Sequence, residues 1–137
     1  MKLSKECNLC HHRGRFVSIE EDLGSTLKKY NFPYSLDHFE TLNYKNYACP
    51  TCGSSDRDRL YKLYVESYLR DGKKLSLLDF APSAPLQKFL KENKSVRYRS
   101  ADLMMEGVDD KVDITDMRIY KDNSFDFFIC SHVVEHV

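Results

Sequence analysis

The sequence has no surplus of either charge. Its 137 residues hold 21 Lys+Arg and 21 Asp+Glu, so the formal net charge is zero. Whole-domain electrostatic attachment to nucleic acid needs a basic surplus or a basic face, and this composition offers no surplus. A long apolar run is also missing. No stretch approaches the roughly eighteen consecutive apolar residues of a membrane-spanning helix. Met1 to Asn8 mix charged and polar types without the apolar run of a secretory leader. There is no internal repeat and no low-complexity run. No membrane partner is expected, and the expected compartment is the cytoplasm.

What is there has the balance of a globular protein, 42% apolar and 31% charged. The length has room for one domain, or for a small module plus part of a larger one. Five cysteines in a reducing compartment are expected to be thiols. Short-spaced pairs among them then point to metal before disulfide.

Two such pairs exist. Cys7-Asn8-Leu9-Cys10 and Cys49-Pro50-Thr51-Cys52-Gly53 are C-x2-C knuckles. The spacing lets both sulfurs of a knuckle reach one ion, while the turn directs backbone N–H groups at the thiolates. Four soft ligands, Cys7, Cys10, Cys49 and Cys52, make the closed tetrahedral set of structural zinc. In zinc-finger peptides such a centre supplies about 10–16 kcal/mol of folding free energy. Thirty-eight residues, 11 to 48, separate the knuckles. About 15–20 is the commoner spacing, so the intervening length is expected to form its own subdomain. The alternatives are four unrelated buried thiols or a redox pair, and neither knuckle sits at the strand-to-helix junction a redox pair favours. His11 or His12 could replace a cysteine as ligand, but a solvated pair is the expectation. Four cysteines already fill the sphere, which leaves no open catalytic position.

The chain divides into three stretches: a zinc-ribbon-like four-Cys module over 1–53, a connecting helix over 54–73 and an alternating segment over 74–137. Inside the first, Phe16, Tyr30, Phe32, Tyr34, Phe39, Tyr44 and Tyr47 follow no long helical period, so short strands and loops are predicted. Over 54–70 the pattern predicts a helix. Ser54 or Ser55 caps it, Asp56 and Asp58 suit its dipole, and Asp71-Gly72 ends it. Leu60, Leu63, Tyr64, Ser67 and Tyr68 form its one mostly apolar face. Tyr61, Tyr64 and Tyr68 are read as packing rather than as a base-stacking platform, and Arg57 and Arg59 as a solvated helix start.

From Lys74 onward strands and helices alternate. Leu75 to Phe80 reads as a buried strand, and Pro85 to Glu92 as a helix with Ser83 as its cap and Leu86, Phe89 and Leu90 on one face. Val96 to Ala101 is a second strand and Val112 to Ile114 a brief third. After the turn Asp122-Asn123-Ser124, Phe125 to Cys130 is an apolar strand with Cys130 in the core, and Val133 to Val137 opens another helix. The fold class is α/β: a parallel, doubly wound, Rossmann-like sheet, represented by its first four strands. Such sheets bind ligands at the carboxyl ends of strands near the switch point. Leu77-Leu78-Asp79-Phe80-Ala81-Pro82-Ser83 lies there, and Asp102 ends the next strand about twenty residues on, where nucleotide-binding units place an acid for ribose hydroxyls.

The last fifteen residues, Asn123-Ser124-Phe125-Asp126-Phe127-Phe128-Ile129-Cys130-Ser131-His132-Val133-Val134-Glu135-His136-Val137, carry a resemblance. They are similar to the D-N-S-F-D-h-h-h-C-S-H-V-L-E-H-V stretch (h, apolar) of class I S-adenosylmethionine-dependent methyltransferases of the type 11 group. Ala101-Asp102-Leu103 and Val112-Asp113-Ile114-Thr115 fall in register. The second knuckle, running into Gly53-Ser54-Ser55-Asp56-Arg57-Asp58-Arg59-Leu60, looks like a zinc-ribbon-like segment ahead of a methyltransferase domain. The likeness covers about residues 49 to 137. It implies S-adenosylmethionine as cofactor, with Asp79, Phe80, Ala81, Pro82 and Ser83 near its methionine and ribose. It also implies Asp102 on the ribose hydroxyls, Asp113 and Ile114 at the adenine edge, and Ser131 and His132 beside the transferred methyl. His132 is the candidate catalytic residue, and Glu135 and His136 would hold the loop. Displacement at a sulfonium methyl needs mainly positioning, and sometimes a base.

Two departures accompany the likeness. Ala81-Pro82-Ser83-Ala84-Pro85 contains no glycine, where the family's loop is glycine-rich so that backbone can approach the ligand. The sequence also stops after the fourth of seven strands. A fragment, a truncated product or half of an assembly is expected, with the fourth strand an exposed edge open to self-association. The methyl acceptor stays open. A competing reading is a non-catalytic zinc-binding scaffold, or a nucleic-acid or protein-binding module, on a degenerate methyltransferase fold. Only Lys28-Lys29-Tyr30 and Arg97-Tyr98-Arg99 support nucleic acid. A non-functional remnant is the third.

Overall fold

The computed structural model describes residues 5–39 and 41–137. Half of the Met1–Asn8 stretch read for a leader lies outside them. The chain divides into two compact units, Met1–Lys62 and Leu63–Val137.

The first unit holds helix α1, Glu20–Lys29, and two short 3-10 turns, Leu36–His38 and Tyr44–Asn46. Among the described residues its strand character is confined to two isolated antiparallel bridges, Glu6 with Arg13 and Val17 with Ala48. The helix corrects the expectation of strands and loops in the aromatic tract. Only Leu23 and Leu27 mark its inner face, both half-buried, and Gly24, Ser25 and Thr26 interrupt the apolar period. Charge supports it instead: Glu20, Glu21 and Asp22 lie in the first turn and Lys28 and Lys29 in the last, matching the helix dipole.

Helix α2, Asp56–Leu69, starts with a reciprocal cap. The Ser55 N–H donates to Asp58 Oδ2 at 2.8 Å, and the Asp58 N–H donates to Ser55 Oγ at 3.1 Å. Ser54 is not the cap; it is fully buried. The buried positions of α2 are Asp58, Lys62 and Val65, whereas Leu60, Leu63 and Tyr64 are 61%, 54% and 62% exposed. The expected apolar face was therefore the wrong one. Polar side chains turn inward here because their heads find partners: Asp58 in the cap and the Lys62 ammonium at the Asn8 carbonyl.

The second unit is built on a four-stranded sheet of order β3-β2-β1-β4. Its strands are β1 Leu75–Phe80, β2 Val96–Asp102, β3 Asp110–Lys111 and β4 Phe127–Cys130, and every pairing is parallel. This is the α/β, Rossmann-like architecture read from the sequence. Helix α3, Ala84–Glu92, connects β1 to β2, with Pro85 in its first turn and Leu86 and Leu90 buried. Side chains alternate across the pleat. Leu78, Phe80, Ala101 and Val112 form one core layer, with Ile114, Met117, Tyr120, Phe125, Cys130 and Val133 packed against it. Leu75, Leu77 and Asp79 point to the opposite face and are buried there.

The third and fourth strands differ from expectation. The third is Asp110–Lys111, and Val112 extends it by a single N–H bond to the Asp102 carbonyl. The ladder stops because the Asp113 carboxylate folds back on Thr115. Before β4, the Asp126 N–H donates to the Ser76 carbonyl, and its carboxylate accepts the Ser76 N–H at 2.8 Å. Phe128 on this edge strand is 55% exposed, and Phe127 packs on Tyr64 and Tyr68. The final segment is a 3-10 turn, Val134–His136, rather than an α-helix. Among the described residues no helix is long and apolar enough to cross a membrane.

Candidate functional site

The two knuckles converge. The Sγ atoms of Cys7, Cys10, Cys49 and Cys52 all lie within 4.8 Å of one another. Cys7 and Cys52 are 3.8 Å apart and Cys10 and Cys49 are 3.6 Å apart. A tetrahedral ion bound at about 2.3 Å per sulfur needs sulfurs about 3.8 Å apart, so the donor set and its spacing fit zinc.

Both turns are built alike. The Cys7 N–H donates to the His12 carbonyl and the His11 N–H to the Cys7 carbonyl. In the second turn the Cys49 N–H donates to the Ser54 carbonyl and the Gly53 N–H to the Cys49 carbonyl. The fourth residue after the first cysteine is left-handed in each, His11 at φ 61° and Gly53 at φ 75°.

The sulfurs are not equivalent. Cys7 and Cys49 are buried, and Cys10 and Cys52 are partly exposed. The buried Ser54 hydroxyl lies 3.4 Å from Cys7 Sγ and 3.2 Å from Cys52 Sγ. Burial pushes the Cys7 thiol up, but the Ser54 hydroxyl and the N–H groups of Cys10 and Leu9 outweigh it and bring the group down to about 6. Burial pushes Cys10 the other way, to about 12, against one N–H from His12.

Arg59 holds the frame around the sulfurs. Its guanidinium donates to the carbonyls of Ser54, Asn46 and Tyr47 at 2.8, 2.7 and 3.1 Å and lies over the Phe16 ring. The Asn8 amide in turn donates to the Arg59 carbonyl. Arg59 is thus a scaffold residue rather than a solvated one. Neither its role nor that of Ser54 could be read from spacing, because Arg59 also reaches back to Asn46 and Tyr47 and Ser54 also reaches Cys7. His11 is exposed and bonds Glu6, and His12 Nδ1 lies 3.0 Å from Thr51 Oγ1. Neither histidine joins the four-sulfur group.

The second arrangement lies at the carboxyl ends of the strands. The strand order reverses between β1 and β4, with Phe80 opposite Ala101 on one side and Cys130 on the other. Three strand ends therefore meet: Ala81-Pro82-Ser83 after β1, Asp102 at the end of β2, and Ser131-His132 after β4. Asp113 and Ile114 follow β3, one strand further out.

The side chains take different parts. Asp79 is 1% exposed and accepts the Tyr98 hydroxyl at 3.0 Å, and the Phe80 ring is in the core. Ala81, Pro82 and Ser83 are half-buried. Ala81 is left-handed at φ 51°, with its N–H on the Ala101 carbonyl, so the turn forms without glycine. Asp102 Oδ1 accepts the N–H groups of Met104 and Met105 at 2.7 and 2.6 Å, and among the described residues its Oδ2 accepts none. The Thr115 hydroxyl and N–H, both on Asp113 Oδ1, hold the Asp113 carboxyl below its ordinary value.

His132 is left-handed at φ 57°, its side chain 66% exposed, with Nδ1 2.7 Å from Glu135 Oε1. A carboxylate only accepts, so Nδ1 carries the proton and Nε2 of the neutral ring is the acceptor. The Glu135 N–H and the His132 ring hold the Glu135 carboxyl below its ordinary value.

No family model, no curated protein and no solved structure matches the chain. The architecture and the thiol cluster stand on its own residues.

Proposed function

We propose that the chain binds S-adenosylmethionine for methyl transfer, and that its four clustered cysteines hold one structural zinc ion. The observation that carries the reading is the strand order. Its reversal between β1 and β4 gathers the left-handed Ala81 turn, Asp102 and the His132–Glu135 pair at adjoining strand ends. Asp102 and the His132–Glu135 pair lie in the segments that carry the sequence resemblance, whereas the Ala81 turn is its glycine-free departure.

S-adenosylmethionine supplies a methyl group activated on a sulfonium. The chain's own part is to hold and orient. Asp102 Oδ2 accepts ribose hydroxyls, with Oδ1 fixed by its own loop. Asp113, charged at neutral pH, accepts the exocyclic amine of adenine. His132 Nε2 takes a proton from a methyl acceptor, with Glu135 fixing the tautomer. The zinc centre fixes the first unit, whose own buried apolar residues are few.

Calorimetric titration of S-adenosylhomocysteine into the zinc-loaded chain tests the reading. Saturable binding is expected, weakened at least tenfold by Asp102→Ala, the order of one or two charge-assisted hydrogen bonds. A folded chain that takes up no ligand overturns it. Asp79→Ala is the poorer control, because Asp79 is a buried partner of Tyr98.

One observation favours a second reading, a binding module. Tyr30, Phe32 and Tyr34 are 71%, 44% and 57% exposed beside Lys28 and Lys29, with the Lys29 ammonium over the Tyr30 ring. Exposed rings with lysines suit stacked, unpaired bases. A salt-dependent anisotropy shift with a single-stranded oligonucleotide, lost in Tyr30→Ala/Tyr34→Ala, would favour it; no shift at low salt would dismiss it.

A further inference from the structure

We propose that the cleft between β2 and residues 119–125 is an anion site that takes the phosphate group of a small phosphate monoester. It lies toward the amino ends of the strands, away from Asp102 and His132. The core layer of Leu78, Phe80 and Ala101 gives way there to Ser76, Arg97 and Arg99 on the same face, with Ser76 opposite Arg97 and Leu78 opposite Arg99. Together with residues 119–125 they border a cleft of about 540 Å³, within the range of small-molecule sites.

The two arginines differ. Arg99 is neutralised by Asp110, which also accepts the Tyr120 hydroxyl at 2.9 Å. Arg97 is held without a carboxylate: its Nε donates to Ser76 Oγ at 3.0 Å and its Nη2 to the Ser124 carbonyl at 2.8 Å. Those bonds fix the guanidinium and leave Nη1 with no protein partner among the described residues. Lys121 and Asn123 also line the cleft, and among the described residues neither the ammonium nor the amide has a partner. Their turn is braced, with Asn123 left-handed at φ 58° and the Ser124 hydroxyl on the Lys121 carbonyl. The donors are thus placed in advance, which lowers the cost of binding. A guanidinium, an ammonium and an amide match the three outer oxygens of a phosphate monoester, whereas a carboxylate has only two. Asp122 lines the cleft as well, but Arg97 and Lys121 outweigh it once Arg99 and Asp110 cancel. Ile119, 61% exposed, and Phe125 give the ester group an apolar wall. Tyr98, between the arginines, turns its hydroxyl to Asp79 on the opposite face, so Arg97-Tyr98-Arg99 is not a base-stacking strip and a small ligand suits it better than nucleic acid.

The test is ¹⁵N–¹H NMR of the zinc-loaded chain titrated with phenyl phosphate, with benzoate and phenol in parallel. Saturable shifts are expected at Arg97, Lys121, Asn123 and Ser124, with a Kd on the order of 1 mM. Benzoate is expected to bind at least about threefold more weakly, and phenol not at all. Arg97→Gln is expected to weaken phenyl phosphate about tenfold and Lys121→Gln about threefold. The Lys121 ammonium holds nothing in the fold, so its variant decides even where Arg97→Gln disturbs the turn. Benzoate binding as tightly as phenyl phosphate, an unchanged affinity in Lys121→Gln, or no shift over residues 119–125 at about 10 mM probe overturns the proposal. So does a single-stranded oligonucleotide that shifts the same residues at lower concentration, which would assign the cleft to nucleic acid.

Discussion

His11 and Gly53 do the same work in two different turns. Each is the fourth residue after a knuckle's first cysteine, each donates its N–H to that cysteine's carbonyl, and each is left-handed, at φ 61° and 75°. Only one of them is a glycine, and a side chain at such a φ costs about 1 kcal/mol or more. His11→Gly is therefore expected to leave zinc stoichiometry unchanged and to be neutral or to stabilise by up to about 1 kcal/mol, because it relieves the left-handed φ while the exposed bond to Glu6 that it loses is worth little. Gly53→Val is expected to destabilise the zinc-loaded chain by about 1–2 kcal/mol. Thermal melts and metal analysis check both. A loss of zinc in His11→Gly would make the histidine a ligand.

The glycine-free loop gives a related expectation. Ala81 is left-handed without being glycine. Ala81→Gly is expected to be tolerated or to stabilise by up to about 1 kcal/mol, and Ala81→Val to cost more than about 1 kcal/mol. Denaturant melts decide, and equal stability of the two variants would contradict the strained turn.

Tyr98 and Asp79 set the cost of the buried face of β1. Burial, the Asp79 charge and its hydrogen bond together push the Tyr98 hydroxyl far above its ordinary value, so it stays a donor at every accessible pH. Tyr98→Phe removes that donor from a carboxylate 1% exposed. A loss of about 1–3 kcal/mol is expected in denaturant melts. No loss would mean that the remaining partners of Asp79 suffice.

Acid stability has a defined sign. The Arg99 guanidinium, followed by the Tyr120 hydroxyl, holds the Asp110 carboxyl below its ordinary value. A folded-state value depressed below the unfolded one, near 3.9, contributes stability that is present above that pH. The contribution is lost as pH falls from about 3.9 through the lower folded value. Asp110→Asn is expected to reduce stability at pH 7 and to flatten that acid limb, measured by urea melts between pH 2 and 7. An unchanged acid limb would contradict the pairing. Arg99 is half-exposed, so the effect is expected to shrink with added salt.

Much of the second unit was legible because its signals are local. The run Leu75–Phe80 is apolar enough to announce β1, Pro85 marks the first turn of α3, and Val96 starts β2. The four-thiol centre followed from spacing alone. What escaped depended on partners that residue type and apolar period do not announce. Helix α1 rests on end charges rather than on an apolar stripe. The inner face of α2 carries Asp58 and Lys62, whose burial makes sense only once Ser55 and Asn8 are in place. The third strand ends early because Asp113 bonds Thr115, a contest between side chain and ladder that residue type does not settle. Ser54 looked like a helix cap and is instead a partner of two sulfurs. The placing of Asp102, Asp113 and His132 at the carboxyl ends of the strands follows from parallel topology.

The most direct test of the cofactor reading is a residue-resolved one: ¹⁵N–¹H NMR of the zinc-loaded chain titrated with S-adenosylhomocysteine. Shifts are expected at Ala81, Ser83, Asp102, Asp113 and Ser131–His132, with residues 7–62 unmoved. An unperturbed spectrum, or shifts confined to the aromatic segment near Tyr30 and Tyr34, would contradict cofactor binding at the strand ends.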